Sequence, residues 1–191
     1  MQRILKAGLL VAFLGLLSQG AMAQEAYDKA VNAFQNAGES GVYFSSAYGY
    51  AVFPTIGKGG IGIGGAHGNG QVYAAGQHVG NASMTQITVG FQLGGQAFSQ
   101  IIFFEDERAF REFTSGNFEF SAQATAVAIT AGVSAEANTG GGVGTGISGG
   151  QNDANTTHSG YRKGMATFTI AKGGLMYEAA LGGQKFSYTP L

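Results

Sequence analysis

The chain has 191 residues, a formal net charge of −1, 45% hydrophobic residues, 34 glycines and no cysteine. That length suits one domain with its own core, the apolar share excludes a disordered chain, and the charge excludes a general nucleic-acid binder, which needs a basic face. Charged residues make up only 11%, about half the usual share, so the surface is left to amides, hydroxyls and apolar groups.

The chain opens with an address. Arg3 and Lys6 precede the apolar run Ala7 to Leu17, and Ala21-Met22-Ala23 puts small residues where a signal peptidase reads. The run is too short for a permanent membrane helix. The expectation is a signal peptide over residues 1–23, cleaved after Ala23, and a single exported domain over residues 24–191 in the periplasm or on the envelope membranes. Without cysteine the domain has neither disulfides nor a residue for lipoprotein acylation.

In the mature chain, Tyr27, Ala30, Val31 and Phe34 form one apolar stripe and predict a helix from Gln24 to Ala37, stopped at Gly38. Its polar face holds Glu25 and Asp28 against Lys29 alone, which suits core packing better than a membrane surface. Ser40 to Tyr48 reads as turn-rich or helical. Strands follow: Tyr50 to Phe53, ending at Pro54; Ile61 to Ala66 and Gln71 to Ala75, as a hairpin around Gly68-Asn69-Gly70; and Met84 to Phe104, broken at Gly94-Gly95. In the last of these, Ile87, Val89, Phe91 and Leu93 alternate with Thr88, Gly90 and Gln92. Glu105 to Thr114 predicts a helix with an acidic start and a Glu107–Arg111 pair. Strand returns at Phe118 to Val133. A Gly-rich loop at about 138–159 leads to strands Met165 to Ala171, Leu175 to Leu181 and Phe186 to Tyr188. The expected class is α+β, predominantly antiparallel β in a closed or sandwich-like sheet assembly, with two or three helices.

Chemistry-bearing patterns are few. Gly60 to Gly65 fits G-x-G-x-x-G, but strand follows it where a dinucleotide site needs a helix. Gly146-Ile147-Ser148-Gly149-Gly150 fits G-x-S-x-G, yet it and the later Asp153 and His158 lie in a glycine-rich tract rather than at a strand-to-helix elbow. His67, His78 and His158 lack metal-ligand spacing, and Glu105-Asp106-Glu107 is explained by the helix start. No catalytic residue, metal or cofactor is assigned. Lys58 and Lys172 each precede Gly-Gly, a pattern that places an ammonium beside turn amides able to nest an anion. Arg162-Lys163 closes the Gly-rich tract.

One ordered set of motifs resembles a known family. Val52-Phe53-Pro54, Lys58-Gly59-Gly60, Ile61-Gly62-Ile63-Gly64-Gly65 and Gly68-Asn69-Gly70 are similar to the hallmark of the SYLF domain. Gly90 to Ser99, Lys172 to Met176 and Gly182 to Phe186 continue the likeness over nearly the whole mature chain. The resemblance implies non-enzymatic binding of phospholipid head groups. Eukaryotic members bind phosphoinositides through a basic N-terminal helix, which is acidic here, and the actin binding of fungal members is not expected in a cell envelope. The expected lipid-binding residues are Lys58, Gly59, Gly60, Lys172, Gly173, Gly174, Arg162 and Lys163, with Tyr48 and Tyr50 at the interface. The alternatives are an eight-stranded outer-membrane barrel, which the alternation of Thr85 to Phe91 suits and the helix at Glu105 and the interruption at Pro190 oppose, or a structural, partner-binding module.

Mass spectrometry of the protein from an envelope fraction should find an N-terminus at Gln24. An intact Met1 would contradict the export reading.

Overall fold

The computed structural model describes residues 20, 22–90, 95–121, 124, 127–129, 160–172 and 181–191. Most of the expected signal sequence, the Gly-rich tract at 138–159, the segment at 91–94 and most of the expected strand Leu175–Leu181 lie outside them.

Helix α1 occupies residues 22–36. Its stripe does what its spacing implies: Ala30 and Phe34 are buried, with Tyr27 and Val31 packed beside them, against Val52, Ile101, Phe103 and Phe168. The Glu25–Lys29 pair lies on the wet face at 2.7 Å. A short helix α2, Gly38–Gly41, follows, and its buried Ser40 donates to the Phe34 carbonyl at 2.6 Å. That bond satisfies an acceptor that the end of α1 leaves open. A 3₁₀ turn, Val42–Ser45, then lays Tyr43 and Phe44 on Phe103, with ring centres 5.4 and 4.9 Å apart.

Strand β1 runs without a break from Gly49 to Ala74 and corrects two expectations. Pro54 does not end it. The proline sits where the pairing register shifts between Phe53 and Ile56, a bulge where its missing N–H breaks no ladder bond. Its carbonyl accepts from Ser99 Oγ at 2.7 Å. Nor do Gly68 and Gly70 make a hairpin turn: they lie mid-strand, and the reversal comes at Ala75 and Gly76, whose φ values are 49° and 76°. Two left-handed residues in succession are what a tight hairpin turn requires.

Strands β2, Gln77–Gly90, and β3, Gln96–Phe104, pair antiparallel with the two halves of β1. β2 matches Gly62 to Ala74, and β3 matches Gly49 to Lys58. Together they form a three-stranded sheet with β1 in the middle, which bends between Lys58 and Gly62 and curls over itself. The curl explains the mid-strand glycines. A Cβ on Gly68 would stand 2.7 Å from the Ile56 side chain, and one on Gly70 2.6 Å from the Phe53 ring. These residues are glycine because the second half of β1 lies against the first.

Helix α3, Glu107–Phe113, is capped by Asp106, which accepts from the Ala109 amide at 2.8 Å. Glu107 and Arg111 pair at 2.6 Å, as their spacing implies. Within the expected strand Phe118–Val133 the described residues form two short pieces, β4 Phe118–Glu119 and β5 Val127–Ile129. β6, Met165–Lys172, flanks β3, and β7, Lys185–Pro190, flanks β2. Pro190 pairs with Gly80 rather than interrupting the ladder. The order is β4-β7-β2-β1-β3-β6-β5, antiparallel except for β5 against β6. The class is therefore α+β, mainly antiparallel, and the described residues form one curled seven-stranded sheet with three helices.

Two apolar clusters hold it. Phe53, Ile56, Met84, Ile102, Phe104, Phe113 and Phe186 fill the inside of the curl, while Phe34, Val52, Ile101 and Phe103 join α1 to its outside. Each such side chain contributes about 1.5–3 kcal/mol on burial.

Gly70→Val should lower stability in urea by at least the roughly 1–3 kcal/mol of an overpacked core. Gly59→Ala meets nothing within 4 Å and should stay within about 0.5 kcal/mol of wild type. Equal losses at the two positions would contradict the close approach.

Candidate functional site: the bend end of the sheet

The bend is built from backbone. Gly60 has φ +150°, and a Cβ there would collide with Gly64 Cα and the Ile63 carbonyl. No L side chain fits there. The Lys58-Gly59-Gly60 segment is thus strand folded on itself and not a loop turn.

Lys58 pairs with Gln96, and Lys172 with Ala97, so the two lysines stand on either side of the first two residues of β3. Alternation sends their side chains to opposite faces of that end. Lys172 Nζ donates to Thr55 Oγ1 at 2.8 Å, which holds its ammonium at the rim. No Asp or Glu occurs anywhere in β1, β2, β3 or β6, and Lys58 and Lys172 are the only Lys or Arg there. The described carboxylates are on α1, α2, β4 and around α3. Gly59 is open and Gly60 forms the fold of the bend. Gly173 and Gly174 lie outside the described residues.

The polarity of the sheet reverses close to this end. The alternation around Ile87 suggests that its apolar side is the core side, but the buried side of β2 continues from Ala82 and Met84 to Gln86. Gln86 Nε2 donates to the Gly182 carbonyl at 2.9 Å. Ile87 points outward and is 80% exposed, and Ile63, on the same face of β1, is 71% exposed. Deeper inside, Gln100 and Gln184 are fully buried and exchange two amide bonds of 2.9 and 3.2 Å. Sequence reading singled out neither the two isoleucines nor the glutamine pair. The available signal was phase: Ala82 and Met84 are even-numbered, Ile87 and Val89 odd, so both sets cannot face the core.

The other expected residues do not join this end. Lys163, with φ 51°, and Gly164, with φ 80°, make a tight turn between Arg162 and Met165 at the opposite end of β6. The eight-residue strand Met165–Lys172, about 23 Å from end to end at roughly 3.3 Å per step, carries Lys172 away from that turn. The Gly164 carbonyl there accepts from the Glu105 amide at 2.8 Å. Tyr48 is at the same far end, on Phe110 at 5.5 Å. Tyr50 is half-buried in the packing under α1, stacked on Tyr73 at 4.9 Å. Burial, helped by Tyr73, pushes its phenol up to about 12. Among the described residues no three His, Asp or Glu side chains gather as metal ligands.

No family model matches the chain, and no curated protein matches it.

The Tyr50 phenol stays neutral in the fold at pH values where an unfolded tyrosine ionises. Stability should therefore be intact below pH about 10 and fall as pH rises from about 10 to about 12. Tyr50→Phe should make that alkaline loss shallower in urea titrations. An unchanged slope would remove Tyr50 as its source.

Proposed function

We propose that the protein is a non-enzymatic phospholipid-binding domain of the cell envelope that meets an anionic membrane surface with the bend end of its sheet. The observation that carries this is the charge map of the central strands: Lys58 and Lys172 are their only full charges, and both stand at the bend. The central strands carry their cations at one end alone and no carboxylate, which favours approach of that end to phosphate. Gly59 and Gly60 add no side chain between backbone and head group. Arg162, Lys163, Tyr48 and Tyr50 are outside this contact, since the first three sit at the far end and Tyr50 is packed.

The barrel reading fits less well. α1 covers the outer side of the first half of β1, and outward positions of the second half and its neighbours carry His67, Asn69, Ser83, Lys185 and Ser187. A membrane barrel would present an apolar belt there. The closed or sandwich-like assembly stays part of the proposal, with the curl enclosing its core from two sides. Export to the periplasm completes the reading.

Lys58→Gln with Lys172→Gln should weaken co-sedimentation with anionic liposomes by about 1 kcal/mol per lysine, with the fold intact, and raised salt should weaken the wild type similarly. Salt-insensitive binding, unchanged in the double variant, would contradict the assignment.

A further inference from the structure

We infer that Ile63 and Ile87 are a membrane-inserting pair, carried below the head groups of an anionic bilayer when the bend end docks. The inference rests on the lipid-surface reading and adds its depth and its apolar partner, the upper acyl chains.

The geometry is specific to this patch. Ile63 is opposite Val89 and Ile87 opposite Gly65, two rows apart, so both isoleucines leave the same outer face as diagonal neighbours. Gly65 leaves the floor beside Ile87 without a side chain. Neither isoleucine belongs to a core cluster. Single exposed apolar residues are ordinary on a protein surface. These two differ because the sheet inverts to expose them: Gln86 takes the buried slot and needs the Gly182 carbonyl to satisfy it, while its neighbour Ile87 takes the wet one. A sheet selected only for stability gains by the opposite assignment. Farther from the bend the same outer face becomes polar, with His67, Thr85, Asn69 and Ser83. The apolar spot is thus confined to the end where Lys58 and Lys172 stand. Cation and hydrocarbon side by side match the layering of an anionic bilayer, phosphate above and acyl chain beneath. Charge complementarity selects that occupant over an apolar groove on another protein, which has no use for the flanking lysines.

The chain has no cysteine, so single labels are unambiguous. Ile63→Cys and Ile87→Cys, each carrying an environment-sensitive fluorophore, are mixed with vesicles of phosphatidylglycerol and phosphatidylcholine, some containing doxyl-labelled lipid. Asn81→Cys, on the same face toward the hairpin turn, and Arg111→Cys, on α3, serve as references. The expected result is a blue shift and doxyl quenching at positions 63 and 87, and neither at 81 and 111. Unlabelled Ile63→Ser with Ile87→Ser should bind the same vesicles about tenfold more weakly per isoleucine, with unchanged thermal unfolding because both side chains are exposed. Salt-sensitive binding without shift or quenching at 63 and 87 would overturn insertion and leave the lysine contact standing. Failure of the wild type to bind would overturn both. A blue shift without vesicles that grows with protein concentration would assign the patch to a second copy of the chain and overturn the inference.

Discussion

The rest of the structure depends on how closely β1 approaches itself. Twenty-six residues of strand cannot stay straight in a domain this size, and the chain bends them at Gly60, where no Cβ fits. The same closeness demands glycine at positions 68 and 70, against Ile56 and Phe53. Everything attached to β1 follows the bend: β3 and β6 go with one half, β2 and β7 with the other. The aromatic residues Phe53, Phe104, Phe113 and Phe186 fill the resulting interior.

The bend also makes the proposed site. A strand that folds back presents an end of bare backbone, and charge and apolar side chains can be gathered there without disturbing the core. Lys58 and Lys172 come from β1 and β6, separated by β3, while Ile63 and Ile87 come from the second half of β1 and from β2. None of these side chains is buried to hold the fold. The interior tolerates its own polar groups because Gln100 and Gln184 satisfy each other and Gln86 finds a carbonyl.

Local patterns were readable where one periodic face meets one core. The α1 stripe, the acidic start and ion pair of α3, and β6 all lie where their spacing implies. The errors share one cause. Gly68-Asn69-Gly70 has the composition of a turn, and only the contact with a segment some fifteen residues earlier in the chain makes it strand. Pro54 has the composition of a stop, and only the bulge against β3 lets the strand continue. The outward Ile87 was hidden for a related reason: alternation tells which residues share a face and not which face is inside. Of the expected site, Lys58 and Lys172 reach the same end of the sheet, on opposite faces, because register places them there. Arg162 and Lys163 were grouped with them by charge alone, and the length of β6 separates them.

The central claim is that the bend end, and not the helical end, faces the membrane. Amide hydrogen exchange of the protein, with and without anionic vesicles, tests it most directly. The account predicts added protection across residues 57–65 and 86–90 and none in α3 at 107–113. Protection concentrated in α1 or α3, with the bend unchanged, would contradict it.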